Sequence, residues 1–179
     1  MAEEQNQDPV MTPDENASAQ FQIQKLYAKD ASLELPNAPQ IFQENGQADV
    51  KMSLAQRVES LGDDLHEVVL TVTVTATVGE KTAYLAEVAQ AGIFMVSGFN
   101  EQASHAVMNT LCPTTLFPYA RQMIASLVTE SGFPPLVLQP VNFDMLYAQR
   151  MQQMAEEQKK AATAEGNGAA AVPEFSTDD

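Results

Sequence analysis

The pair of side chains best suited to covalent chemistry is His105 and Cys112, because an imidazole beside a thiol can generate a nucleophilic thiolate. Their spacing of seven puts them on nearly one helix face, but two turns, or about 10 Å, apart along the axis. A thiol–imidazole contact of ~3 Å therefore requires a bent helix. Cys112 precedes Pro113 and reads more simply as a small apolar residue at a helix end. His66 begins a strand pattern, where a satisfied or solvated imidazole is the plainer reading. The chain carries no GxxxxGK, GxGxxG, HExxH or GxSxG motif and no EF-hand loop. These residues point away from an enzyme and from any nucleotide, metal or other cofactor.

Three acidic pairs are candidates for chemistry. Asp63-Asp64 reads as a turn, and Glu156-Glu157 as a solvated helix end. Asp30 and Glu34 lie in Lys29-Asp-Ala-Ser-Leu-Glu-Leu-Pro-Asn-Ala-Pro39, where carboxylates cannot be deep core without partners. With Glu87 they could form an acidic patch; a simply solvated face is the rival reading. The nine methionines suit either an adaptable surface or ordinary core packing.

The 179 residues suffice for one domain with a sizeable core. A net charge of −15 argues against nucleic acid and anionic membranes and favours basic partners. One cysteine allows no internal disulfide and no cysteine-based zinc site. The first residues lack the cationic and apolar regions of a signal peptide, and no apolar run reaches the ~18 residues of a membrane span. A cytoplasmic location is expected. Residues 1–20 and 159–179 are acidic and aperiodic, and are expected to be disordered tails around a domain at 21–158.

Alternation at Phe21, Ile23 and Tyr27 predicts a strand with those three on one face. Lys29 to Pro39 is expected as extended coil or an edge, and Val50 to Ala55 as a second strand. In His66 to Val78, Leu70, Val72, Val74 and Ala76 alternate with threonines, the pattern of a strand with one dry and one wet face. Gly79-Glu80-Lys81 turns the chain into a partner strand over Thr82 to Val96.

Polarity chooses the register of that hairpin. One register sets Glu87 opposite Val72 on the dry face; its neighbour sets Thr73 opposite Glu87, Thr75 opposite Leu85 and Val74 opposite Ala86. A slip of one residue exchanges the faces, and burying an unpaired Glu costs several kcal/mol, order of magnitude. The second register is expected, with an odd-length loop, leaving Leu85 and Glu87 on the exposed face.

Beyond Phe99 the period becomes helical. Asn100 caps a helix that Pro113 ends. Thr115 caps a second, with Pro118 in its first turn, an apolar stripe of Leu116, Tyr119, Met123, Ile124 and Leu127, and Gly132 beyond its end. Phe133 to Pro140 should be extended, and Asn142 caps a last helix with Phe143, Leu146, Tyr147, Arg150, Met151 and Met154 on one side. Four strands followed by helices read as an α+β fold.

Tyr27–Pro39, EVVLTVTVTA at Glu67–Ala76, Gly92-Ile-Phe94, LFPYAR at Leu116–Arg121 and FPPLVLQPVNFDMLY at Phe133–Tyr147 together resemble the SecB protein-export chaperone family across about residues 21–150. The resemblance implies a four-stranded antiparallel sheet with helices packed on one face, assembling as a dimer of dimers. It implies ATP-independent holding of unfolded preproteins and their delivery to SecA, the export motor, whose basic zinc-bearing C-terminal domain docks on an acidic patch. The matching positions are Asp30, Glu34, Leu85 and Glu87. It also implies apolar client grooves, for which the corresponding candidates are Leu35, Ile41, Phe42, Val50, Met52, Leu54, Phe94, Met95 and Phe99, with ordinary core the rival at each. Gly46 stands where the family often places Trp, implying a wider or weaker groove there. An acidic oligomeric adaptor that holds no clients is the alternative function.

Overall fold

The computed structural model describes residues 19–166. Four strands form one antiparallel sheet: β1 (Gln20–Glu34), β2 (Asp49–Gly62), β3 (Leu65–Val78) and β4 (Lys81–Ser97), in the spatial order β1-β4-β3-β2. Helices α1 (Glu101–Asn109), α2 (Leu111–Glu130) and α3 (Phe143–Gly166) follow. This is the expected α+β arrangement. Strand β1 begins at Gln20 and α3 runs past residue 158 to Gly166, so both elements overrun the expected domain limits. The rest of the two expected tails, 1–18 and 167–179, lies outside the described residues.

The alternating apolar residues of β3 decide which side of the sheet is dry. Val68, Leu70, Val72, Val74 and Ala76 are buried beneath α2, as are Ala86, Val88, Phe94 and Val96 of β4. The facing helix residues are Leu116, Phe117, Ala120, Ile124 and Val128. Tyr119, expected in this stripe, is 49% exposed. Contact with the sheet selects the Leu116–Ala120–Ile124–Val128 row, because residues four apart stack along one side of a helix.

The β3–β4 register is the one that polarity selects: Thr73 pairs with Glu87, Thr75 with Leu85 and Val74 with Ala86. The device that achieves it is different from the expected odd loop. Val78 pairs with Lys81 across a two-residue Gly79-Glu80 turn, and Thr77 pairs with Thr82. A bulge then lets Ala76 pair with Tyr84, leaving Ala83 as the extra residue. One inserted residue shifts the side-chain alternation by one, which an odd loop would also have done.

Strand β1 corrects a second expectation. Its pairing with β4 slips between Ile23 and Lys25 and again between Ala28 and Asp30. Phe21 therefore faces the core, where it stacks on Phe94 with ring centroids 5.6 Å apart. Tyr27 lies on the opposite face, because the first bulge inverts the alternation between them. Residues 29–34 stay in the strand, which is an edge of the sheet as expected.

The segment after β1 crosses from one sheet edge to the other around the β3–β4 turn. Asn37 Nδ2 donates to the Thr82 carbonyl at 2.9 Å, and Ile41 enters the core. A Cβ built on Gly46 would lie 2.9 Å from Val78 Cγ1. Position 46 is thus pressed against the end of β3, and a large side chain there requires the loop to move.

The helix boundaries also differ from expectation. Asn100 caps α1, its Oδ1 accepting from the Ala103 amide at 2.8 Å. However, α1 ends at Asn109, and α2 starts at Leu111, ahead of Pro113. Pro113 occupies the first turn, where a missing amide costs nothing, and Pro118 is inside the helix. Thr115 is no cap; its hydroxyl donates to the Leu111 carbonyl at 2.9 Å. Gly132, at φ 91°, follows the end of α2 as expected, and Asn142 Oδ1 accepts from the Met145 amide at 3.0 Å to start α3.

Candidate functional site

The helices leave one sheet face uncovered. Along β3 that face carries Glu67, Val69, Thr71, Thr73, Thr75 and Thr77, and along β4 it carries Leu85, Glu87, Ala89, Ala91, Ile93 and Met95. In β1, Glu34 pairs with Leu85, Ser32 with Glu87 and Asp30 with Ala89, so Asp30 and Glu34 share this face. All four residues of the candidate acidic patch thus lie together on the two adjacent strands β1 and β4. Asp30 and Glu34 are exposed; Leu85 and Glu87 are half-buried. Thr73 Oγ1 donates to Glu87 Oε2 at 2.7 Å, which fixes the carboxylate from below and leaves its other oxygen free to accept from a partner. Three carboxylates around one leucine can pair with basic side chains and bury one apolar contact.

Farther along the same face is a cluster that the sequence reading missed. Glu67, on β3, is the only acidic or basic side chain among the described residues that is buried, at 7% exposure. Lys29 Nζ lies 2.8 and 2.7 Å from its two carboxylate oxygens, the Tyr27 hydroxyl donates to Oε1, and Arg57 Nη2 lies 3.3 Å from Oε2. Tyr27 and Lys29 belong to β1, which is separated from β3 by β4. They span two strand spacings, about 10 Å, across the small residues Ala89 and Ala91. This bridge explains why Val69 and Ala91 are buried on a face without helices. The Glu67 position was readable only as one polar residue before an apolar run; nothing local marks its partners.

The Lys29 ammonium, and then the Tyr27 hydroxyl, hold the Glu67 carboxyl below its ordinary range against the opposing effect of burial. A carboxyl whose pKa is lower folded than unfolded stabilises the fold above its unfolded value, about 4.3. That contribution is lost as pH falls through the folded value. Arg57 and Glu59 are the other charged groups beside it. The stability difference between the wild-type chain and Glu67→Gln is therefore expected to hold above about pH 5 and to close as pH falls below about 4. Urea midpoints measured across that range test this; a difference that persists undiminished at the acid end contradicts the ion pair's role.

The nine candidate groove residues divide. Phe94 is fully buried and Ile41 nearly so, and both belong to the core. Phe94 is there because β4 alternation directs it beneath the helices, onto Phe21. Met95, one residue on, points to the uncovered face, away from the rest. Leu35 and Phe99 are half-buried against the core edge. Phe42 is 49% exposed and packs on Phe133, centroids 5.1 Å apart. Val50, Met52 and Leu54 lie on the helix side of the edge strand β2, the first two exposed.

Met52 and Leu54 meet α3. A small cavity of about 60 Å³ lies between Leu54, Leu70, Phe143, Leu146, Tyr147 and Arg150. An open depression of about 380 Å³, lined by Met52, Leu54, Leu146, Gln149, Arg150 and Gln153, continues from it. The two adjoin as one channel through Leu54, Leu146 and Arg150, with Met52, Leu54 and Leu146 as its apolar lining and Gln149, Arg150 and Gln153 as its polar lining. Its α3 wall comes from Phe143, Leu146, Tyr147 and Arg150, which the helical period places on one side of that helix. The helical period reveals such a stripe, though not that part of it stays open.

His105 and Cys112 are not arranged for catalysis. His105 is exposed on α1, its Nδ1 3.0 Å from the Tyr147 hydroxyl. Cys112 is fully buried in α2, and burial pushes its thiol up to about 12. Among the described residues no cluster of three His, Cys, Asp or Glu is placed to hold a metal, and no helix is long and apolar enough to cross a membrane.

A family model described as preprotein translocase subunit SecB matches residues 14–154. The chain is 51% identical to the protein-export protein SecB of Alkalilimnicola ehrlichii, over 91% of this chain and 86% of that one. It is 47% identical to the protein of the same name from Methylococcus capsulatus, over 89% of this chain and 97% of that one. Among solved structures, a SecB-like chaperone of Mycobacterium tuberculosis, in complex with a ChAD peptide from an antitoxin, superposes with a TM-score of 0.57 at 18% identity, covering 68% of this chain and 91% of that chain.

Proposed function

The chain belongs to the SecB family of protein-export proteins, and from that premise we propose that it holds preproteins in a non-native state and passes them to the SecA motor. The observation that carries the reading is the division of labour across one sheet. The helix side carries an open channel on β2 and α3 with Met52, Leu54 and Leu146 as its apolar lining, and the uncovered side carries the carboxylates. A client and a basic partner can be bound at once, because the sheet separates them.

Holding is passive. A protein that binds only the unfolded chain lowers its folded fraction by mass action, so clients are selected by how long they remain unfolded. No phosphate-cradling motif is present to couple the cycle to nucleotide hydrolysis, and no catalytic residue is assigned. The docking partner is the basic, zinc-bearing C-terminal domain of SecA, taken by Asp30, Glu34 and Glu87 around Leu85; the zinc is the partner's. Charge pairing of this kind accelerates encounter and weakens with salt. Homotetramerisation as a dimer of dimers suits the long edge strand β1, which a second copy can extend, and several channels on one assembly raise avidity for a long client. The setting of this work is the bacterial cytoplasm.

The channel is tested by light scattering from a slow-folding client without ATP. The wild-type chain is expected to suppress aggregation, and Leu146→Asp, which puts a charge in the channel's apolar lining, to lose most of that activity while keeping its native mass. An unimpaired Leu146→Asp variant removes the channel from the reading. A wild-type chain that binds SecA yet suppresses nothing establishes the adaptor in its place.

A further inference from the structure

From the position of the second β1 bulge we infer that Glu67 is a positioning residue for the acidic docking patch: through Lys29 it pins the bulge that turns Asp30 and Glu34 onto the uncovered face. The inference rests on the docking reading above, and extends it to a residue outside the patch.

The argument is one of strand parity. Ala28 pairs with Gln90 on the core side, and Asp30 pairs with Ala89 on the uncovered side, so Lys29 is the inserted residue. If Lys29 instead took Ala89 as its partner, every later residue would move by one. Asp30, Ser32 and Glu34 would turn toward the helices, and Ala31 and Leu33 would turn outward. The bulge is thus what gives β1 its two carboxylates beside Glu87 and Leu85. Bulges disrupt the ladder locally and leave the inserted residue without a strand partner, so something must hold that residue.

The inserted residue is the one whose ammonium sits on Glu67, 2.7 Å from Oε2 and 2.8 Å from Oε1. Tyr27, two residues earlier, reaches the same carboxylate. The carboxylate is anchored on β3, in the middle of the sheet, and is buried. Two of its partners are therefore the bulged residue itself and the residue two places before it, while Arg57 holds the carboxylate from the other side. Burial strengthens each of these charged hydrogen bonds relative to a surface pair. Leu33, packed at the core edge, favours the same register, so the clamp and the apolar pattern agree.

The test is a double-mutant cycle between Glu67→Gln and deletion of Lys29, read by affinity for a synthetic, zinc-loaded C-terminal domain of SecA. Deleting Lys29 removes the bulge while leaving Asp30 next after Ala28, so the carboxylates stay on the uncovered face without a clamp. Glu67→Gln alone is expected to weaken docking about tenfold; in the Lys29-deleted chain it is expected to change docking by less than about twofold. The same tenfold loss in both backgrounds, or none in the first, overturns the inference. Amide exchange provides a second readout that needs neither the deletion nor SecA. Residues 28–34 of Glu67→Gln, and the β4 amides that donate to them, are expected to exchange at least about tenfold faster, with the β2–β3 ladder unchanged. Unaltered protection there, or a uniform loss across the sheet, refutes the clamp. A wild-type chain that fails to bind the SecA domain removes the docking reading alone, and the exchange result then decides the clamp.

Discussion

Glu87→Lys is expected to weaken binding of the SecA zinc-bearing domain by about a hundredfold, while leaving suppression of client aggregation within about twofold of wild type. The size follows from the patch. Its three carboxylates are Asp30, Glu34 and Glu87, and reversing one removes a favourable pairing and adds a repulsion against a basic partner. Like charges brought together at an interface cost several kcal/mol, of which a hundredfold uses about 2.7. The selectivity follows from position. Glu87 is on the uncovered face beside Thr73, and the channel lined by Leu54 and Leu146 is on the other. A titration at low and high salt should show most of the loss at low salt, where the wild-type interaction is least screened. Equal loss of both activities in a soluble variant of unchanged native mass refutes the separation of the two faces.

Phe94→Ala is expected to destabilise the chain by about 3–5 kcal/mol, among the largest effects of any single truncation here. Phe94 has no exposed surface, and its ring stacks on Phe21. It also lies flat over Gly92, where an added Cβ would come within 2.6 Å of Cε2. Gly92 itself has no side chain to fill the space that the ring vacates, which leaves Leu26 and Phe21 as the neighbours bordering the cavity. The unfolding midpoint in urea measures this. The same experiment separates core from groove. If Phe94 bound clients, truncation would impair holding with little effect on stability, and a loss under about 1 kcal/mol would contradict the core assignment.

Several outcomes were legible before the tertiary structure because they depend on near neighbours in the chain. The alternating threonines of β3 show its wet face, and the cost of burying Glu87 selects the hairpin register among the alternatives. Asn100, Gly132 and Asn142 mark helix ends through hydrogen bonds or backbone angles that involve only a few adjacent residues. Proline was less informative. Pro113 predicts a helix end but sits in the first turn of the next helix, since the same missing amide suits either place.

Local period and local polarity cost suffice for four strands followed by helices, for the β3–β4 hairpin and its register, and for the face on which Leu85 and Glu87 stand; that all four strands share one antiparallel sheet was implied by the family resemblance. Long-range contacts set the two bulges of β1, which turn Tyr27 away from Phe21, and they make Phe94 and Ile41 core while Met52, Leu54 and α3 leave a channel open. The tertiary structure alone brings Lys29, Arg57 and Tyr27 onto Glu67. Those features depend on residues far apart in the chain competing for the same space, and a strand carries no mark of which distant side chain will meet it until the sheet has closed around both.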